Sequence, residues 1–280
     1  SFYKFINLGN PMISLKRNKK GELQKAPGLR TRKSSIYTPN QEKDFVISRG
    51  KFSDFLTCPR CFYIDRVAGI ISPTPPGWTL NALTDTLLKD EFDECRAKQE
   101  SHRILIENNL SHIVPFQHDD IDKWRNSLHY GLEARFKDTN IILKGGVDDV
   151  WINTKTDELV VADYKSQQSN FEVTQETYFS SPFKDGYKKQ LDFYAYLLME
   201  MDFNVSKDSY LYICNAINQN KGFNGEMIFD EILIHYEIDT SYIDQEIQNM
   251  INVLNSDKPP QSNESCENCA YANKRSELNL

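Results

Sequence analysis

Residues 141–168 read IILKGGVDDVWINTKTDELVVADYKSQQ, and the fold turns on them. Apolar and β-branched runs around Gly146–Ile152 and Glu158–Tyr164 flank the polar stretch NTKTD at 153–157. The pattern predicts a β-hairpin with a loop of about five residues. The hairpin places Asp148 on its first strand, and Asp163 and Lys165 near the end of its second. Residues two apart on a strand share a face, so Asp163 and Lys165 point the same way. Two carboxylates and an ammonium at one sheet edge are costly unless a further charge compensates them. A hard divalent cation such as Mg²⁺ does so, because it takes oxygen ligands. The lysine then stands beside an attacking water, an arrangement suited to metal-assisted cleavage of a phosphodiester.

An Asp on one strand, with D-x-K closing the next behind the lead-in VVADYKS, resembles the PD-(D/E)XK nuclease superfamily and its RecB-type branch. That branch also carries Q-x-x-x-Y on the following helix, and here Gln190 and Tyr194 stand inside YKKQLDFYAYLL. The resemblance implies an α/β fold with a restriction-endonuclease-like core and a mixed central sheet. It also implies a Mg²⁺- or Mn²⁺-dependent deoxyribonuclease, with exonuclease preferred over endonuclease action. Asp148 and Asp163, with the backbone carbonyl of Tyr164, would hold the metal. Lys165 would position or activate the water and stabilise developing charge. Gln190 would orient the lysine or a water, and Tyr194 would touch a substrate phosphate or pack at the site. From the residues alone, Tyr194 serves equally well as core. Related nucleases often carry a metal-binding His on a preceding helix, in a pattern like G-x-x-x-H-x-x-L. The matching place holds Asp85, ahead of Leu88. Aspartate suits Mg²⁺ as a ligand, and a solvated Asp is the alternative. The implied partner is DNA, single-stranded or an end, in repair, recombination, or phage- or CRISPR-type processing. A helicase or another repair or CRISPR protein would act alongside. The rival reading is a catalytically silent nuclease-like fold that binds DNA or protein. A purely structural zinc protein would leave the hairpin motif unexplained.

The net charge of −7 does not by itself announce a nucleic-acid binder. The charge is unevenly spread, however. Residues 1–51 hold twelve Lys/Arg against three Asp/Glu, including KRNKK at 16–20 and RTRK at 30–33, and leave 21 basic against 37 acidic residues in the rest. This stretch has little apolar periodicity, so a basic, extended or mobile arm is expected. It would serve to grip phosphates or, equally, as a solubilising or partner-binding tail. No run of about eighteen apolar residues exists to span a membrane. No charged segment followed by an apolar stretch opens the chain, and a cytoplasmic location is expected.

Six cysteines without a secretion signal suggest metal ligation or free thiols rather than a disulfide framework. Cys58-Pro-x-Cys61 near one end is echoed by Cys266-x-x-Cys269 near the other, and two such pairs complete a four-sulfur shell. Some RecB-type nucleases, CRISPR-associated ones included, clasp an iron–sulfur cluster with cysteines before and after the core. They typically use one Cys upstream and three downstream, and the place of the last holds Arg275 here. Cys61 could supply the fourth ligand. The two-plus-two pattern also suits Zn²⁺, and a redox disulfide within a pair is the bland alternative. Cys95 and Cys214 read as buried thiols.

These readings divide the chain into the arm (1–51), a first half-clasp (52–71), a helical region (72–140), the nuclease core (141–256) and a second half-clasp with the tail (257–280). FSDFLTCPRCFYIDRVAGI (52–70) predicts one short helix with Ser53 as N-cap. Leu80, Leu83, Leu87, Leu88 and Phe92 predict one apolar face on a helix over 79–98. Helices are expected at 103–110 and 119–138, and the histidines at 102, 112, 118 and 129 form no metal or triad pattern. Downstream come a helix over 186–202, strands at 209–217 and 226–238, and a helix over 241–255 with Ser241-x-x-Asp244 as a capping signal. Lys188 and Lys189 at the first helix could meet a backbone phosphate.

Overall fold

The computed structural model describes residues 13–73, 79–218 and 222–278. In chain order its elements begin with β1 (Phe45–Ser48), α1 (Arg49–Thr57), α2 (Pro59–Arg66), α3 (Thr79–Lys98) and α4 (Arg103–Glu107). They continue with β2 (Ile113–Pro115), α5 (Ile121–Arg125), β3 (Leu132–Arg135), β4 (Ile141–Gly145), β5 (Asp149–Asn153) and β6 (Glu158–Gln168). The remainder comprises α6 (Gln175–Tyr178), α7 (Asp185–Glu200), β7 (Asp208–Ile217), β8 (Ile228–Glu237), α8 (Ile243–Leu254) and α9 (Glu267–Glu277). Among the described residues no helix is long and apolar enough to cross a membrane.

The strands form a mixed α/β architecture. A five-stranded sheet runs in the order β2-β5-β6-β7-β8, and a three-stranded sheet in the order β1-β4-β3. The expected hairpin is the centre of the larger sheet. Strands β5 and β6 pair antiparallel from Asp149↔Ala162 to Asn153↔Glu158. The turn between them is closed by Asp157 in the left-handed region, φ 58°. Strand β6 then pairs with β7 in parallel, with α7 in the connection.

The alternation along β6 divides the interior into two cores. Leu159 and Val161 face the larger core, with Leu191, Phe193, Leu197 and α8. Val160, Ala162 and Tyr164 face the smaller one, with Leu88, Phe92, Trp151 and Tyr212. Phe92 stacks on Trp151 there, with ring centroids 5.0 Å apart. Asp163 and Lys165 therefore point to the α7 side.

Several elements depart from the sequence-based expectation. The helix over 52–70 is two helices, because Pro59 lacks an N–H and starts a new one at its N1 position. Its N-cap is Ser48, whose hydroxyl accepts from the Lys51 N–H, not Ser53. The helix over 119–138 shrinks to α5, and Leu132–Arg135 becomes β3, paired with β4. Gly131 at φ +118°, with Gly145 O so close that a Cβ would collide with it, marks that switch. On α3 only Leu88 and Phe92 of the expected apolar face are buried, while Leu80, Leu83 and Leu87 are exposed. At α8, Ser241 donates to Asp239 instead of capping, and Tyr242 is the N-cap.

Within the described part of the basic arm, Arg17 and Leu23 form an antiparallel bridge around a tight turn, and from Gly28 onward the arm is held on the body. Leu29 bridges to Ile70, Arg30 pairs with Asp65, and the buried Tyr37 donates to Asn255. Phe45–Ser48, read as part of the arm, is strand β1 and pairs in parallel with β4. The folded body thus takes in residues from Gly28, whereas Lys16, Arg17, Lys19, Lys20 and Lys25 stay exposed. Residues 1–12 of the expected arm lie outside the described residues.

Candidate active site and cysteine centre

Asp148 sits where the chain leaves the smaller sheet for the larger. Strand β4 ends at Gly145 and β5 begins at Asp149, so Asp148 lies just before the hairpin strand rather than on it. Two glycines make this crossing. A Cβ on Gly145 would lie 2.9 Å from Cε1 of Tyr194, and one on Gly146 would lie 2.6 Å from Cα of Ser127. The Val147 N–H donates to Trp124 O (3.2 Å), and the Tyr164 N–H donates to Asp148 Oδ2 (3.0 Å). The Asp148 carboxylate is thereby tied to the same β6 segment that carries Asp163 and Lys165.

The next residue has the opposite fate. Asp149 is fully buried on the far face, where it accepts from Tyr164 Oη (2.8 Å), Trp151 Nε1 (3.2 Å) and the Arg96 guanidinium. Arg96 also donates to Phe116 O (2.8 Å). Asp149 is a structural anion of the smaller core. Sequence reasoning missed this role, because its cation comes from a helix 53 positions away.

Asp163 is fully buried, and its two oxygens are both engaged. Gln190 Nε2 donates to Oδ1 (2.7 Å), and the Lys165 ammonium donates to Oδ2. The same Gln190 Nε2 reaches Tyr194 Oη at 3.1 Å, as their spacing of one helical turn allows. Lys165 also lies 4.9 Å from the ring centroid of Tyr187, a cation–π contact. The structure thus brings together Asp148, Asp163, Lys165, Gln190 and Tyr194. Asp85 stands apart on α3. Its carboxylate pairs with Lys89 (2.9 Å), whose ammonium is 3.8 Å from Asp148 Oδ1.

Asp148, Lys165, Gln190 and Tyr194 line one cleft of ≈ 770 Å³. Its other wall was not expected from the sequence: Ser48, Arg49, Gly50 and Ser53 from the start of α1, with Ser127 and Lys144. No local signal marks these residues, and Ser48, Arg49, Gly50 and Ser53 reach the cleft because β1 pairs with β4. Lys188, a candidate phosphate contact, instead pairs with Asp185 (3.2 Å), and Lys189 is exposed.

The electrostatics follow from this crowding. Burial, and then the Asp163 charge, push the Asp148 carboxyl up to about 7, against the opposing pull of Lys165, Lys89 and the Tyr164 N–H. Burial alone would lower Lys165, but Asp163 and Asp148 raise it above its ordinary value, so it remains an ammonium at neutral pH. Burial, with Asp163 next, raises the Tyr194 phenol, which therefore stays protonated. Two converging carboxylates, one forced toward its neutral form, are a donor set that a divalent cation would satisfy.

The second centre lies at the other end of α1. Cys58 follows that helix and caps α2, while Cys266 caps α9. The four sulfurs of Cys58, Cys61, Cys266 and Cys269 all lie within 4.8 Å of one another. None forms a disulfide. Among the described residues no other group of three or more His, Cys, Asp or Glu ligand atoms is gathered this closely. Burial raises the Cys58 thiol, yet hydrogen bonds from the Cys61 and Asn263 backbone hold it down at about 7. Burial and the neighbouring sulfurs push Cys61 up. Cys214 is buried and Cys95 half-buried, both away from this group.

A family model described as the PD-(D/E)XK nuclease superfamily matches residues 72–273. No curated protein matches the chain. Among solved structures, the chain is similar to the crystal structure of a candidate exonuclease from Eubacterium rectale. The two are 13% identical with a TM-score of 0.40, over 83% of this chain and 88% of the other.

Proposed function

Because the chain belongs to the PD-(D/E)XK nuclease superfamily, we propose that it is a Mg²⁺- or Mn²⁺-dependent deoxyribonuclease acting on single-stranded DNA or a DNA end. The observation that carries this reading is the convergence of Asp148, Lys165, Gln190 and Tyr194 on one cleft, with Asp163 bonded to both Lys165 and Gln190. The finer choice of exonuclease action, and of a repair, recombination or CRISPR-type setting, belongs to the same proposal.

In this reading Asp148 and Asp163 would hold the metal together with the Tyr164 carbonyl, and Asp85 contributes to the site's charge through Lys89. When bound, the ion supplies Lewis-acid polarisation of the phosphate and lowers the pKa of water. The chain's own residues do the rest. Lys165 stays protonated, so it orients the attacking water and balances charge developing on the phosphoryl oxygens. Gln190 fixes the Asp163 carboxylate and, by donating to Tyr194 Oη, leaves that hydroxyl's proton free for a phosphate oxygen. Arg49 forms no ion pair with any described carboxylate and lines the cleft beside Ser48 and Ser53. With Lys144 it can meet the phosphates flanking the scissile one.

Labelled single- and double-stranded DNA, with and without Mg²⁺ or Mn²⁺, tests the proposal. Metal-dependent cleavage is expected from the native chain and none from Asp163→Asn or Lys165→Ala, with both variants folded. Equal cleavage by the native chain and the variants, or DNA binding with no cleavage under any metal, would refute it.

A further inference from the structure

We propose that Cys58, Cys61, Cys266 and Cys269 bind a single zinc ion, not an iron–sulfur cluster, and that this ion anchors helix α1. The clasp stands on its own geometry. Only the functional meaning of anchoring α1 rests on the proposed nuclease reading.

Sulfur spacing separates the two chemistries. Around one tetrahedral Zn²⁺ with Zn–S bonds of about 2.3 Å, thiolates stand about 3.8 Å apart. Cys58 Sγ lies 3.8 Å from Cys269 Sγ, and Cys61 Sγ lies 3.5 Å from Cys266 Sγ and 3.4 Å from Cys269 Sγ. The remaining pairs also fall within 4.8 Å. In a cluster the cysteines bind different irons from the outside, so at least some must stand farther apart than around one ion. A tetrahedral shell of four thiolates at this spacing is the shell of a structural zinc site.

The backbone is arranged for an anionic centre. Each C-x-x-C pair opens a helix, with Cys58 as the N-cap of α2 and Cys266 as the N-cap of α9. The free N–H groups and the positive ends of both helices therefore lie next to the thiolates. Asn263 Nδ2 donates to Thr57 O (3.0 Å), so the two halves of the centre are joined beside the sulfurs as well.

The position of α1 gives the centre its consequence. Its last residue, Thr57, adjoins Cys58, while its N-cap Ser48 and its residues Arg49, Gly50 and Ser53 line the cleft. Nine residues span about 14 Å, so the cysteines stand about one helix length from Arg49. The ion fixes the far end of the helix that supplies Arg49 to the cleft, while Asp148, at the crossing just before β5, and Asp163, on β6, are held independently of it.

The whole chain, purified anaerobically, decides the matter by elemental analysis, acid-labile sulfide and visible absorption. One zinc per chain, no iron, no sulfide and no colour are expected, and Co²⁺ exchange should give the visible bands of a tetrahedral thiolate site. Iron with sulfide, iron alone, or no metal would overturn the proposal. Cys266→Ser should lose the zinc and lower the melting midpoint, while Cys95→Ser keeps both. If Cys266→Ser does not fold, Co²⁺ exchange into the native chain carries the test. Hydrogen exchange at residues 49–57 should quicken once a chelator has withdrawn the zinc, with β6 still protected. Unchanged exchange in α1 would overturn the anchoring. None of these measurements reads DNA cleavage, so they can fail while the nuclease reading stands, and the reverse.

Discussion

Replacing Arg96 by Met tests the division of labour between the adjacent aspartates. Asp149 is fully buried, and the Arg96 side chain that neutralises it is 8% exposed. Met keeps most of the Arg96 packing volume but leaves a buried carboxylate with only Trp151, Tyr164 and the Val150 N–H as donors. Breaking a buried pair from one side costs about 3–5 kcal/mol, because the remaining buried charge loses its direct ion pair. For a chain of this length that is a fall in melting midpoint of roughly 10 °C. Adding Asp149→Asn to Arg96→Met removes the stranded charge while keeping an acceptor for Tyr164 and Trp151, so about half the loss should return. Urea denaturation of the native chain, the two single variants and the double variant measures each term. Cleavage per folded molecule should persist in the double variant, since both residues lie on the face of the sheet opposite the cleft. A cost below about 1 kcal/mol for Arg96→Met, or a double variant no more stable than Arg96→Met alone, would refute the reasoning.

Gly146→Ala must displace the Ser127 backbone, 2.6 Å from the new Cβ, so about 1–3 kcal/mol of stability and most cleavage should go together, read by denaturation and by the DNA assay. Asp192 is buried against Tyr236, Tyr242 and the Asp239 N–H, and burial pushes its carboxyl from 3.8 up to about 6 despite those bonds. The folded state therefore holds the proton more tightly than the unfolded one. The corresponding stability, up to about 3 kcal/mol, is full below about pH 4 and is lost as the pH rises through 6. Asp192→Asn should flatten stability across that window, which denaturation at a series of pH values measures. Removing residues 1–27 takes away Lys4, Lys16, Arg17, Lys19, Lys20 and Lys25 but spares the Arg30–Asp65 pair and Tyr37. If these cations grip phosphates, the slope of log affinity against log salt for single-stranded DNA should shrink by up to about 0.7 per cation released. An unchanged slope gives the segment another role.

What the sequence by itself determined was local. A period of two put Asp163 and Lys165 on one face of β6, and a period of 3.6 put Gln190 and Tyr194 one turn apart on α7. The NTKTD stretch between two β-branched runs was enough to read the hairpin, and the paired C-x-x-C spacing was enough to suspect a shared centre. The tertiary structure decided everything that depends on residues meeting across long separations. Phe45 pairs with Ile141, which turns part of a basic arm into a strand and carries Ser48 and Arg49 to the cleft. The short strands β2 and β3 were hidden in a stretch read as helical, because three or four residues hold too little periodicity to declare a strand. Asp148 and Asp149 are the same amino acid side by side. Only the crossing between sheets at Gly145–Gly146 and the arrival of Arg96 from α3 turn one toward the cleft and bury the other as a structural anion.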